Sequence, residues 1–330
     1  MVRPVTGPLD LAGDVRGESP PAWLRGRLER GLDRLGAVPD RTGAVRAVAR
    51  RHDRDPAEVL LTAGDDEAFV LLARALRPRR ALCVHPGPRG PEDALRAAGR
   101  PVDRLVLEPP FVLDPADVPE AVDLVVVGSP ADPTGVVHQG LDWLCRDGRV
   151  VVVDESHADA VPDEPHSLAA RSDLPGLVVV RSLTRTWALS GLPVGYLLAP
   201  PELVQRLRAA QPPSAVSSLA LVALETCLAR GPVATAQRDA RELAAERERL
   251  AAALSGLGVQ VTPGSQAPFL LCRVPGRSDV RELLLGRGIA VHPGESYPGL
   301  GSEHWRVAVR GEQESGSLVA ALGEVLSAGG

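Results

Sequence analysis

The sequence predicts an α/β protein with a mostly parallel central sheet, followed by a smaller α+β unit. Three observations carry that expectation. Short, unbroken apolar runs alternate with amphipathic helical patterns from about residue 41 onward, and strands read as unbroken Val and Leu runs when both faces are covered. Beyond Pro212-Pro213 the pattern changes to long helices with only isolated strand candidates. A chain of 330 residues, 44% of them apolar, can also bury one large core or two smaller ones.

The elements follow in order. Residues 1–40, with Pro20-Pro21 and an amphipathic segment at 23–35, read as an arm that packs on the body. Strands are expected at 59–63, 81–85, 104–108, 124–128, 150–154, 177–181 and 194–198, with helices such as 66–76 and 91–98 between them. These make a large α/β domain over 41–212. The remainder, 213–330, is expected as a small α+β domain. Its helices fall at 216–228, 240–257, 278–287 and 313–326, and its strands at 269–274 and 305–310. A ligand cleft belongs between this unit and the carboxyl ends of the large domain's strands.

Composition excludes several classes of function. The net charge is −5 and the pI about 5.9, with arginines and acids interspersed, so no basic surface tracks a phosphate backbone and nucleic acid is not expected as a partner. No leader pattern opens the chain, and no apolar run approaches the roughly 18 residues that span a bilayer. A cytoplasmic location with no membrane partner is expected. Cys83, Cys145, Cys227 and Cys272 are far apart in apolar surroundings, which suits buried thiols rather than disulfides or a metal, and no metal site is expected. The chain contains no lysine and no asparagine. Both residues have AT-rich codons, so a GC-rich genome accounts for the loss as simply as selection does.

Several segments, taken in order, resemble the pyridoxal phosphate (PLP)-dependent aminotransferase superfamily. They are Asp14-Val-Arg-Gly17, Pro20-Pro-Ala-Trp-Leu24, Glu58-Val-Leu-Leu-Thr-Ala-Gly64, Asp132-Pro-Thr-Gly135, Val153-Asp-Glu155, Thr186-Trp-Ala-Leu-Ser-Gly-Leu192, Gly288-Ile-Ala-Val291, Tyr297-Pro-Gly-Leu300 and Arg306-Val-Ala-Val-Arg310. Within that class I/II fold the sequence looks most like threonine-phosphate decarboxylase-like proteins of cobalamin biosynthesis. The resemblance covers nearly the whole chain, and it implies an aminotransferase-type large domain and a homodimer.

The same resemblance locates the cofactor contacts and shows them altered. The lysine that would carry PLP as an imine is Arg185, and a guanidinium that stays protonated cannot form one. Gly64 opens the helix expected to cup the phosphate, but Asp65 and Asp66 follow it; two carboxylates repel an anion there, unless they serve simply to cap the helix. Asp132 stands for an asparagine that donates to the ring oxygen, and an ionised carboxylate only accepts. Pro193 replaces a phosphate-binding arginine, Pro88 a ring-stacking aromatic and Val38 a tyrosine that reaches the neighbouring subunit. Asp154, which would pair with the ring nitrogen, and Ser182, a phosphate contact, are kept. His157 stands where an aromatic is usual, and Arg306 matches the arginine that clamps a substrate carboxylate.

Three readings stay open. The first is an enzyme without PLP, in which Asp154, His157, Asp132 and Arg185 do acid–base work while Arg306 and Arg16 anchor a small carboxylated ligand. The second is a non-catalytic scaffold in which Arg185 fills the lysine's place and pairs with Asp154 or Asp132. The third is the family's decarboxylase or aminotransferase, with PLP held noncovalently. Arg16, alone on an arm, is by itself an ordinary surface charge.

Overall fold

The computed structural model describes residues 8–327. The chain opens with β1 (Leu9–Asp10), α1 (Ala22–Gly31) and α2 (Thr42–His52). It continues through β2 (Val59–Thr62), α3 (Gly64–Ala75), β3 (Ala81–His85), α4 (Gly90–Ala97), β4 (Val102–Val106), β5 (Leu124–Gly128), β6 (Val150–Asp154), β7 (Leu177–Ser182) and β8 (Gly195–Leu198). Then come α5 (Pro201–Ala210), α6 (Ser218–Cys227), α7 (Arg230–Gly256), β9 (Gln260–Val261), β10 (Phe269–Arg273), α8 (Val280–Gly286), β11 (Ile289–Ala290), β12 (His292–Pro293), β13 (His304–Ala308) and α9 (Glu312–Ser327).

Seven strands form one sheet in the order β2-β8-β7-β6-β5-β3-β4, with β8 antiparallel to both of its neighbours and the other pairs parallel. The valine run of β6 explains why the sheet is buried on both faces. Val151 and Val153 face one apolar cluster and Val152 the other, as the two-residue period of a strand requires. A second sheet, β12-β13-β10-β9, packs its own core with α7, α8 and α9.

The first described residues meet the rest of the chain through both backbone and side chains. β1 pairs in parallel with β11, and Ala308 N donates to Leu11 O at 2.8 Å. Leu24 is fully buried, and Trp23 meets Trp187 edge-to-face at 5.1 Å. Leu32, Leu35 and Val38 are exposed, so the apolar face expected over 23–35 is only partly covered.

Two expectations need correction. The second long helix starts at Arg230 rather than at 240, because Pro232 lies in its first turn, where a missing N–H costs no helical bond. The third expected strand, 104–108, is displaced to Val102–Val106, set by parallel pairing of Ala81 with Val102. No single described helix is long and apolar enough to cross a membrane. Cys83, Cys227 and Cys272 are buried free thiols, and Cys145 is a partly buried one.

Sequence reading missed a buried ionic cluster beneath the sheet's end. Arg181, 2% exposed, places NH1 at 3.0 Å from Glu155 and 2.7 Å from Glu164, and NH2 at 2.6 Å from Asp159. Arg51 joins it through Glu164 at 2.6 Å. Removing the central guanidinium leaves Glu155 and Asp159 without an ion-pair partner and takes one of two from Glu164. Arg181→Ala is therefore expected to cost about 3–5 kcal/mol, read as a lower urea midpoint at unchanged m-value; a loss under about 1 kcal/mol would mean that the carboxylates find water or other partners.

Candidate functional site

One rim of the large sheet collects the residues of interest. β3, β5, β6 and β7 run in the same direction, and β2 shares it because β8 is antiparallel to both β2 and β7. Their carboxyl ends are therefore neighbours. Thr62 leads into Gly64, His85 ends β3, Gly128 leads into the 129–135 loop, Asp154 ends β6, and Ser182 leads into the loop that carries Arg185. This rim is where open α/β sheets place their ligands.

Arg185 is held by two carboxylates. Its Nε donates to Asp14 Oδ2 at 3.0 Å and its NH1 to Asp65 Oδ2 at 2.9 Å. The expected partners were Asp154 or Asp132, and neither is used. Ser156 already satisfies Asp154 Oδ1, through its N at 3.0 Å and its Oγ at 2.5 Å. Asp132 Oδ1 accepts from Arg306 NH1 at 2.8 Å and from Tyr297 OH at 3.0 Å. The arm supplies one of the two carboxylates instead, Asp14, and Arg16 N donates to Arg185 O at 2.9 Å to hold it there.

Arg306 is also committed within the chain. Besides Asp132, it donates through NH2 to Ala12 O at 2.7 Å, and its guanidinium carbon lies 4.7 Å from the centre of the Phe269 ring. The carboxylate clamp expected of it is thus filled by Asp132. Arg16 is not the surface charge that an isolated arm residue suggests: both terminal nitrogens are buried and unpartnered, and burial pulls its pKa down.

Asp14 and Tyr297 stand out in the sequence only as parts of longer segments, and the structure places both at the site. Burial alone would raise the Asp14 carboxyl, but His157, Arg185 and Arg306 around it bring it down to about 2. An acid two residues before an arginine in Asp14-Val-Arg-Gly17 was the available signal.

The phosphate cup expected at the start of α3 is built differently. Gly64 has φ +79°, and a Cβ there would lie 3.2 Å from Pro193 Cβ, so the two residues pack against each other. Asp65 and Asp66 are not the helix cap. Ala63 holds that position without a side-chain bond, and Glu67 accepts from Ala63 N at 2.5 Å. Burial would raise Asp65, but the Arg185 guanidinium outweighs it and keeps that carboxyl low. Burial and the neighbouring Asp65 charge raise Asp66. Ser182 Oγ is buried and unpartnered.

A cavity of about 130 Å³ opens on this rim. Asp65, Asp66, Asp132, Asp154, His157 and Arg185 line it, together with apolar walls that include Phe69 and Phe111. Gly64, Ser182, Arg16 and Arg306 do not. Burial, reinforced by the Asp65 charge, raises the Asp154 carboxyl to about 6. Burial and then the Arg185 charge lower His157 to about 4, leaving the imidazole neutral at pH 7. Its Nε2 faces Asp14 Oδ2 at 3.5 Å, its Nδ1 has no partner, and its ring meets Phe269 edge-on. Ligand atoms of Asp14, Asp132 and His157 lie within 4.8 Å of one another, but arginines already hold both carboxylates.

The fold and this rim define an α/β protein of the aminotransferase type. Residues 37–322 match the aminotransferase class I and II family. The chain belongs to that family, which is PLP-dependent. It is 44% identical over 329 residues to a protein of Mycobacterium tuberculosis named histidinol-phosphate aminotransferase, spanning 98% of this chain and 89% of the relative. The threonine-phosphate decarboxylase of Salmonella typhimurium is 30% identical over 334 residues, spanning 97% and 91%. The sequence expectation had put the decarboxylases nearest, yet the aminotransferase-named relative is the more similar of these two. The solved histidinol-phosphate aminotransferase of Clostridium acetobutylicum superposes with a TM-score of 0.89 at 20% identity, covering 97% of this chain and 99% of that one. This structural likeness supports the fold alone.

Asp154 and His157 act oppositely on stability between pH 6.5 and 4. An unfolded imidazole binds a proton below about 6.5 while folded His157 waits until about 4, so this group loses stability as pH falls. Folded Asp154 binds its proton from about 6 downward while the unfolded carboxyl waits until about 3.8, so this group gains stability. Each effect is worth about 3 kcal/mol over the window and they offset one another. Relative to wild type, Asp154→Asn should become more acid-labile across that window and His157→Gln less so, by urea midpoints. Three parallel pH curves would refute the assignment.

Proposed function

We propose that this chain is a small-molecule enzyme of the aminotransferase fold that works without an imine-held cofactor, through proton transfer by Asp154 and His157. One observation carries the reading. The Asp154 carboxyl lines the cavity with a pKa near 6 beside a neutral, half-satisfied imidazole, while the residue in the amine's place is engaged in two ion pairs. A carboxylate of that pKa is mostly ionised at pH 7 and basic enough to take a proton from a bound molecule and return it. In this scheme Asp132 and Arg185 shape the cavity wall, and Arg306 with Arg16 hold the arm that carries Asp14.

The residues do not fit PLP held as in the family. No side-chain amine is available for an imine, the phosphate end would face ionised Asp65, and Asp132, where the family has a donor to the ring oxygen, only accepts, from Tyr297 and Arg306. Equilibration with PLP and dialysis into cofactor-free buffer should leave no retained, spectrally shifted cofactor, and borohydride should fix none to a side chain. Retained, shifted PLP would overturn the proposal.

A second reading has its own support. Asp154 at the end of β6 and the buried, unpartnered Ser182 hydroxyl suit a noncovalently bound PLP. The relatives' names then point to transamination or decarboxylation of a phosphorylated amino compound.

Arg185→Ala separates catalysis from a purely structural role. Its side chain is 26% exposed, so stranding Asp14 and Asp65 should cost about 1–3 kcal/mol, below the range for a fully buried pair. A scaffold shows only that stability loss, of a few degrees in Tm. An enzyme shows, in addition, a changed pH profile for a turnover assay in which Asp154→Asn is inactive.

A further inference from the structure

We infer that the cavity above Asp154 takes a small organic cation, a protonated amine on an apolar body, and not the carboxylate that the family arginine suggests. The inference rests on the acid–base reading of this same cavity and adds the chemistry of its ligand. Asp65, Asp66, Asp132 and Asp154 line the cavity, and Arg185 is the one guanidinium among the described lining residues. That guanidinium is occupied by Asp14 and Asp65, and Arg306 lies outside the lining, on Asp132 and Ala12 O. No lining cation is left to receive an anion.

The free polar groups of the cavity are acceptors. His157 is 6% exposed and lines the cavity with Nδ1 unpartnered. Its Nε2 faces the Asp14 carboxylate at 3.5 Å, which assigns the ring proton to that nitrogen and leaves Nδ1 as a lone-pair acceptor. Asp154, when ionised, also only accepts, Asp66 presents a second carboxylate, and neither forms an ion pair among the described residues. An ammonium group brings three N–H donors and a positive charge, which is what these acceptors lack. A carboxylate or phosphate brings only more acceptors.

The walls set the size and shape of the rest. Phe69, Phe111, Leu107 and Val126 enclose about 130 Å³. An apolar cavity of about 150 Å³ holds a benzene molecule, so a ligand of about six to eight non-hydrogen atoms fits. Aromatic rings beside the ammonium add cation–π attraction. A bare divalent ion suits the walls poorly, and the cluster it would use, Asp14, Asp132 and His157, has both carboxylates bound to arginines.

Calorimetric titration of the full chain at pH 7.5 with benzylamine, benzyl alcohol and benzoate tests the inference. Benzylamine should bind at least tenfold more tightly than benzyl alcohol, and benzoate should not bind measurably. Its affinity should fall about tenfold between pH 7 and 5 as Asp154 takes up a proton. Asp66→Asn, at an exposed position that leaves folding intact, should weaken benzylamine at least threefold and leave benzyl alcohol unchanged. Benzoate binding as tightly as benzylamine, or benzylamine binding no better than the alcohol, would overturn it. Those results with no PLP retained on dialysis overturn the ligand inference alone, whereas retained PLP overturns the reading beneath it.

Discussion

The arrangement of this rim turns on one carboxylate, Asp14. It lies 3.0 Å from Arg185, 3.5 Å from His157 and 3.8 Å from Arg306, so it touches the loop after β7, the residue just past β6 and the small sheet at once. A charge so buried persists only when opposite charges compensate its lost hydration. The arm's backbone holds it in place through β11, Ala308 and Arg185. Without it, two guanidiniums from different parts of the chain would face the rim without this shared partner.

The same constraint governs the loop after β7. Arg185 cannot shed its proton, and its charge is balanced by Asp14 from the arm and Asp65 from α3. At the start of α3, Pro193 rests on Gly64. Asp154 escapes this neutralisation because Ser156 satisfies only one of its oxygens, and burial with a neighbouring negative charge raises its pKa. Three ionic arrangements thus lie along one sheet edge with different consequences. The Arg181 cluster is closed off from solvent, the Arg185 and Arg306 pairs lock the arm, and Asp154 with Asp66 remains open to the cavity.

Much of the fold was legible because its signal is local. Valine runs such as Val150 to Val153 announce a doubly covered strand, and the change after Pro212-Pro213 announces different packing. Helix starts were less legible. Pro232 looks like a breaker in sequence but lies within the first turn of α7, and Asp65 looks like a cap but sits inside α3, turned to Arg185. Both depend on backbone geometry that residue type does not specify.

Sequence by itself determined the chemical inventory of the site: no lysine, an arginine at 185, carboxylates at 65, 66, 132 and 154, and a histidine at 157. These follow from residue identity and need no coordinates. Tertiary structure alone decided how the charges pair. Arg185 could have met Asp154 or Asp132, and it meets Asp14 and Asp65 because of how the arm, the small sheet and the strand ends converge. Ion pairing falls off with separation and depends on burial, and residues 171 positions apart in sequence are brought within 3.0 Å only by the folded chain.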